Sequence, residues 1–535
     1  MMTKRFLSLI ICVLMMASLV IVPATTASAA TTDNVTGYNL PAEVQDGNIL
    51  HAFNWKLKEV TQYAQEIAEA GYTAVQVSPI QCTKDTTNDG AYSNDWWCFY
   101  QPTDLAIGNE LGNEADLIEM CDTLDDYGIK VIVDIVANHV QNSTNKTEAN
   151  KVNKTLKSFL RNPSGTKLNP YNDATRLGQT HTDLNSQLPD LDTSNKDYQN
   201  YLINYLNTLA DCGVEGFRFD AAKHIETKHD TYFASDFWED TLLKLRANYP
   251  DKELYAYGEI LNKCGDGRPF SEYTELMDVT DSSSYWGIKD AVVNMGNGGN
   301  PTPYYPSSNF TKENVIQWNE SHDTYIDGGT SFFTVQQRNK IWALTAARQE
   351  ITGVYFARPD DRTGANRAAI EAICANITLG DAALTSWTLP EVKAVNQFKN
   401  QFIGQSEYLA SSGSIAYIER GTTGAVLVNC GGTSTYADVK ANRLSDGTYT
   451  DAVTGNKFTV SYGYIKGNIG STGVAVITKD GQVAPTEATK APETTKPTEA
   501  STPASSVTIY FDNSSYNWSS VYAYVYSDAS STQNA

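Results

Sequence analysis

From residue 48 onward, apolar runs of strand length alternate with segments whose apolar positions recur every three or four residues. Fully buried parallel strands read as unbroken apolar runs, whereas flanking helices keep one polar face. The pattern predicts strands at 48–55, 73–80, 130–139, 216–222, 254–260, 315–322 and 353–358. It predicts helices over Thr61 to Ala70, Asn113 to Tyr127, Asp197 to Cys212, Phe237 to Asn248 and Asn339 to Gln349. Such alternation over roughly 350 residues suggests eight strand–helix units. The fold class is therefore α/β, a (β/α)8 TIM barrel, with a doubly wound open sheet as the competing topology.

Two stretches break the alternation. Residues 140–196 are polar, rich in Asn, Thr and Asp, and almost aperiodic. A structureless loop of that length is improbable inside a compact domain, so they read as a small domain inserted after strand three of a barrel over 31–395. Beyond about residue 395 the texture changes to short alternating segments between Gly-rich turns, which predicts an all-β sandwich domain at 396–480. Residues 481–506 form a Pro/Thr/Glu tract that cannot bury a core and reads as an extended linker. Residues 507–535 hold two strand-like runs, and Tyr522, Tyr524 and Tyr526 alternate onto one face, as in a sugar-stacking platform. This final piece is too short to be stable alone and reads as a truncated module.

The N-terminus adds a localisation. Lys4 and Arg5 precede an apolar run from Phe6 to Val22 and an Ala-rich site at Ala27 to Ala30. That order is a secretory signal peptide over 1–30, with a membrane anchor as the competing reading. The expected mature protein is secreted and extracellular, a monomer with no membrane attachment. Of 535 residues, 62 are acidic and 40 basic, a formal charge of −22. That balance disfavours nucleic acid, whose binding needs many Lys and Arg contacts to phosphate, and suits an uncharged partner. The 31 tyrosines and 9 tryptophans suit flat sugar rings as well as cores. Seven cysteines follow the leader without a CxxC pair, so neither a disulfide scaffold nor a zinc site is implied. Cys82 and Cys98 bracket one polar loop and are candidates for a bridge.

A barrel places its chemistry at the C-terminal ends of its strands. Candidate residues collect there: Asp134, Asn138 and His139 at strand three; Arg218, Asp220, Lys223 and His224 at strand four; Glu259 at strand five; His322 and Asp323 at strand seven. Arg218 and Asp220 lie inside Gly-Phe-Arg-Phe-Asp-Ala-Ala, where an unpaired charge is costly. A cation one inward position from Asp220 keeps that carboxylate ionised.

The segments DIVANH (134–139), GFRFDAAKH (216–224), YGEI (257–260) and NESHD (319–323) resemble, in order and spacing, the four conserved regions of the alpha-amylase family, glycoside hydrolase family 13. NILHAFNW (48–55), FYQPTDLAIGN (99–109) and YFARP (355–359) further resemble secreted bacterial members of the saccharifying type, and the final piece resembles a family 26 starch-binding module, with Tyr524 and Tyr526 on its binding face. The resemblance implies endo-hydrolysis of α-1,4-glucosidic bonds in starch and maltooligosaccharides with retention of configuration. Asp220 would be the nucleophile, Glu259 the general acid/base and Asp323 the acid that supports the transition state. A retaining pair needs a neutral donor and a charged nucleophile, so Glu259 is expected to be protonated and Asp220 ionised.

By the same resemblance His139 and His322 contact the sugar at the cleavage point, Tyr100 stacks on it with Gln101 beside it, and Lys223 and His224 lie on the leaving-group side. Trp96 and Trp97 read as an aromatic wall or as loop core. Calcium is the implied cofactor, Ca2+ being held by Asn138, Asp190 and a main-chain carbonyl at His224, an all-oxygen set. Chloride-binding relatives use two arginines and an asparagine. Arg218 and Arg358 match the arginines, but Ser321 replaces the asparagine, so chloride is not implied. The rivals are an α-glucan transferase or a pullulan- or cyclodextrin-acting member of the family, and a non-catalytic starch-binding protein.

Overall fold

The computed structural model describes residues 38, 40–83, 96–142, 151–162, 175–261, 270–307, 312–359, 382 and 384–480. The leader, the linker and the terminal tyrosines 522, 524 and 526 lie outside the described residues. No helix among the described residues is long and apolar enough to cross a membrane.

Eight parallel strands close a barrel: Asn48–Ala52, Ala74–Val77, Lys130–Ile135, Gly216–Phe219, Tyr255–Gly258, Asp278–Thr280, Val315–Trp318 and Thr352–Phe356. All residues of strands one, two, four, five, seven and eight are buried, which explains their unbroken apolar runs. The cylinder closes where Asn48 lies opposite Gly353 and Ile49 opposite Val354. A Cβ on Gly353 would stand 2.7 Å from Asn48 Oδ1 and 2.9 Å from the Trp342 ring, so the seam requires glycine. Strand six is missing from the predicted set. It is only three residues long, and its two polar members are satisfied by tertiary contacts that no local pattern reveals. Tyr255 Oη donates to Asp278 at 2.8 Å, and Thr280 Oγ1 accepts the Ile260 N–H at 2.9 Å.

Between strands two and three a short antiparallel hairpin, Gln81–Thr83 with Pro102–Ile107, precedes the helix Glu114–Asp126. Asn113 caps that helix by accepting from the N–H groups of Ala115 and Asp116, and Asp116 returns a bond to the Asn113 N–H. Its buried face, Leu117, Met120, Cys121 and Leu124, keeps the three-and-four spacing. Other helices shift from their predicted bounds. The first is split into Leu57–Gln62 and Ala64–Glu69. The helix before strand eight is Val335–Ala346, beginning earlier than predicted because Thr334 and Gln337 form a capping box. Cys82 and Cys98 are not bridged to each other, and Cys121, Cys212 and Cys430 are buried thiols.

After helix Pro390–Gln401, eight antiparallel strands from Glu407–Ser412 to Val474–Lys479 form one continuous sheet. Counted within this domain, the order is 1-2-3-8-5-6-7-4. The sheet curls so that its halves face each other across one core of Tyr417, Leu427, Val439, Phe458, Ile465 and Ile477. Alternate residues on the same strands, Ile418, Val426, Val428 and Val476, point the other way and join the barrel's core beside Val395 and Phe398.

Candidate active site

The register of the barrel sets Asp134 opposite Arg218, and Arg218 opposite Tyr257. Arg218 is 5 % exposed and serves three carboxylates from three consecutive strands. Its Nη1 donates to Asp134 Oδ1 and Oδ2 at 2.7 and 2.9 Å and to Asp220 Oδ1 at 2.9 Å, and its Nη2 lies 3.2 Å from Glu259 Oε1. Asp220, Glu259 and Asp323 line one cleft of about 820 Å³. Just after Asp220 the backbone of Ala221 is left-handed, with φ 48°. That strained turn aims the Ala221 N–H at Glu259 Oε2, 2.9 Å away. Asp323 is in the first turn of helix His322–Ile326, which Ser321 caps, and His322 Nε2 lies 3.4 Å from its Oδ1.

Four acids around one guanidinium cannot all ionise. Burial holds Asp220 well above the usual carboxylate range despite Arg218, and Glu259 and Asp134 raise it further. Burial likewise pushes Asp323 up to about 7, with Glu259 adding to it, and Asp134 up to about 6. Burial also disfavours charge on Glu259, but Arg218 and the Ala221 N–H outweigh it and hold that carboxyl below its ordinary value. In the substrate-free site the shifts thus favour charge on Glu259 and disfavour it on Asp220 and Asp323. The cation beside Asp220 is present as the sequence implies, and Asp134 and Glu259 share it.

Burial disfavours charge on His139, His224 and His322. Burial lowers His139 to about 4 and His224 to about 3, and holds His322 well below its ordinary value. His139 Nε2 lies 3.1 Å from the Tyr100 carbonyl, while its Nδ1 has no partner. With the Nε2–H on that carbonyl, Nδ1 is an acceptor beside the cleft. His322 is sandwiched between Tyr100 and Phe53, with ring centroids 5.4 and 5.2 Å away and planes within 18° and 15°. Tyr100 Oη donates to Asp134 Oδ2 at 2.9 Å. Gln101, Lys223, His224, Trp96 and Trp97 also line the cleft. Gln101 Oε1 accepts from the Asn142 N–H at 3.1 Å, and Lys223 Nζ donates to the Leu261 carbonyl at 2.8 Å. Trp96 packs on Tyr100 and His322, so it is both wall and loop core. Sequence reasoning missed Ala221, whose role is a backbone angle. It also missed His51, which meets His322 edge-on at 5.6 Å from inside a strand that reads as apolar.

The residues implied for calcium are near one another in the fold. His139 and Asp190 form a β-bridge, and the Leu191 N–H donates to the Asn138 carbonyl at 3.0 Å. Asn138 is 1 % exposed and among the described residues its side-chain Oδ1 has no hydrogen-bond partner, which fits an oxygen ligand of a cation. Asp190 differs, because its Oδ2 accepts from Arg161 Nε at 2.6 Å. Among the described residues no three His, Cys, Asp or Glu side chains cluster as metal ligands.

Two arginines of the insert clasp the segment after strand four. Arg161 Nη2 reaches Glu226 Oε1 at 2.5 Å, and its Nη1 reaches Asp192 at 3.2 Å. Arg176 pairs with Asp230 at 3.1 Å and donates to the carbonyls of Lys223 and Ile225. Glu226, fully buried, also meets His181 Nε2 at 3.0 Å and is held below its ordinary pKa by His181 and Arg161 against its burial. At the end of strand eight, Arg358 is engaged by Glu320 at 2.6 and 2.9 Å and is not open to a free anion.

Residues 45–262 match the family model described as the alpha amylase catalytic domain. An alpha-amylase of Clostridium acetobutylicum is 34 % identical over 489 residues, covering 89 % of this chain and 59 % of that protein. One from Butyrivibrio fibrisolvens is 31 % identical, covering 82 % and 47 %. The chain thus spans about half to three-fifths of the length of these relatives. Among solved structures, alpha-amylase I of Eisenia fetida, a variant in complex with maltohexaose, superposes with a TM-score of 0.63 at 19 % identity, over 81 % of this chain and 97 % of that one. A Geobacillus thermoleovorans alpha-amylase complexed with acarbose superposes at 0.59 with 15 % identity, over 81 % and 98 %. The matched segment runs from strand one past Glu259, and residues 45–262 belong to the alpha amylase catalytic-domain family.

Proposed function

We propose that the protein is a secreted glycoside hydrolase that cleaves α-1,4-glucosidic bonds within starch and maltooligosaccharides, with retention of anomeric configuration. One observation carries the reading: Arg218 joins Asp220 and Glu259 at the floor of a sugar-sized cleft that Asp323 also lines. Two acids bridged by one guanidinium favour the short separation of a retaining pair, about 5–5.5 Å, over the wider gap that leaves room for an attacking water.

The sequence of steps follows from charge. Glycosylation needs Asp220 ionised and Glu259 protonated, two acids that share one cation. Glu259 then gives its proton to the glycosidic oxygen as Asp220 attacks the anomeric carbon, which breaks the C–O bond and forms a glycosyl ester. After the leaving chain departs, the Glu259 carboxylate takes a proton from water. The resulting nucleophile breaks the ester and restores Asp220. Asp323 supports the distorted ring through its hydroxyls. His139 accepts a hydroxyl at Nδ1, and Tyr100, backed by the His322 ring, supplies the flat wall for the sugar. Lys223 and His224 line the leaving-group side.

Calcium is part of the proposal, held by Asn138 Oδ1, the Asp190 carboxylate and the His224 carbonyl. A hard cation there supplies structural charge between insert and barrel and takes no part in bond cleavage. The reading further includes the cleaved leader, a monomeric mature chain, and a C-terminal starch-binding module with Tyr524 and Tyr526 on its face.

Glu259→Gln tests the core of it. Turnover of soluble starch should fall by about 10³-fold or more while starch binding persists. Anomeric NMR of the first products of the parent should show the α-anomer. Near-parental turnover in the variant, or β-anomer first, refutes the assignment.

A further inference from the structure

Behind Asp323 lies a charged cluster that the proposed mechanism does not use. Glu320, Arg338 and Arg358 all have fully buried side chains. Arg358 forks Glu320, Nε to Oε1 at 2.6 Å and Nη2 to Oε2 at 2.9 Å, and Arg338 Nη1 approaches Oε1 at 3.5 Å. Thr330 Oγ1 donates to Glu320 Oε2 at 2.7 Å. A buried ion pair gains little stability over apolar packing, so its geometric effect is the more informative one.

The cluster joins three pieces of chain: Glu320 at the end of strand seven, Arg358 at the end of strand eight, and Thr330 in the loop beyond helix His322–Ile326. Arg358 Nη2 also donates to the Thr330 carbonyl at 2.8 Å, and its guanidinium lies 4.7 Å over the Tyr325 ring. Thr330 closes back on Thr324, N–H to carbonyl at 2.9 Å and hydroxyl to hydroxyl at 3.2 Å. Thr324 in turn completes the cap with Ser321. Each link ends on the short segment that carries His322 and Asp323. Glu320 and Asp323 also line a cavity of about 40 Å³ beneath the cleft.

We infer that Glu320, through its fork with Arg358 and its bond from Thr330, is a positioning residue that fixes the Asp323 carboxylate over the bound sugar. The inference rests on the reading of Asp323 as the acid that supports the transition state. A bidentate pair fixes a plane as well as a distance, and a misplacement of about 1 Å at a reacting centre costs on the order of 100-fold in rate.

The test uses the full chain, soluble starch as substrate, and Glu320→Gln, Glu320→Asp, Thr330→Val and Asp323→Asn. The expected result for Glu320→Gln is a kcat lower by about 10–100-fold with KM within about twofold, partly recovered in Glu320→Asp. Thr330→Val, which removes one hydroxyl at nearly constant volume, should lose several-fold in kcat with its Tm near the parent's, and it decides alone if the Glu320 variants do not fold. A folded Glu320→Gln or Thr330→Val with parental kcat overturns the inference, as does a loss expressed in KM. If Asp323→Asn is inactive while those variants turn over normally, the inference falls and the catalytic reading stands. If Asp323→Asn is active, both fall.

Discussion

Asp323 keeps a side chain 35 % exposed to the cleft, yet burial and the neighbouring Glu259 push its carboxyl up to about 7. An acid whose pKa is raised in the folded state binds its proton more tightly there than in the unfolded chain. Its contribution is therefore full below about pH 4 and is lost as pH climbs through about 7. Asp134, raised to about 6, acts in the same window. Asp323→Asn, uncharged and nearly isosteric, should accordingly raise Tm at pH 8 and leave it little changed near pH 4.5. Thermal melts across that range check this, and a pH-independent offset would refute it. The positions of the acids were legible in the sequence because a charged pair stands within an apolar strand. The direction in which each acid shifts was not, because it depends on how one cation is divided among carboxylates from three strands.

At the level of elements, strands buried on both faces announced themselves as apolar runs, and helix Glu114–Asp126 followed from its periodicity. What escaped was short or non-local. The sixth strand is three residues, and the arginine clasp joins Arg161 to Glu226 and Arg176 to Asp230 across 65 and 54 positions of the chain. That clasp needs no metal, so it ties insert to barrel independently of the proposed calcium site. Chelation with EDTA should lower Tm in the parent and have no further effect in Asn138→Ala. Arg176→Met, which leaves Asp230 buried beside no Arg176 cation, should cost about 3–5 kcal/mol with or without the chelator. A parental Tm unmoved by EDTA removes the calcium reading. Equal stability of Arg176→Met and parent removes the clasp.

Across the whole molecule, the barrel and the C-terminal sheet share one interior, since Ile418, Val426 and Val476 pack with Val395 and Phe398. Arg348 and Glu407 pin the seam through two bonds at 2.9 and 2.8 Å, and Arg420 donates to the carbonyls of Ala347 and Phe402 at 3.0 and 2.5 Å. Calorimetry should therefore record one transition for both parts, and Arg348→Ala should lower stability by about 3–5 kcal/mol or split that transition. Two resolved transitions in the parent would contradict the shared interior. The same continuity governs how this architecture can be recombined. A chimera cut between residues 401 and 407 would inherit half of a packed interior from each parent, with mismatched knobs on both sides. Exchange of the sheet between homologues should succeed only when helices Val335–Ala346 and Pro390–Gln401 travel with it as one graft.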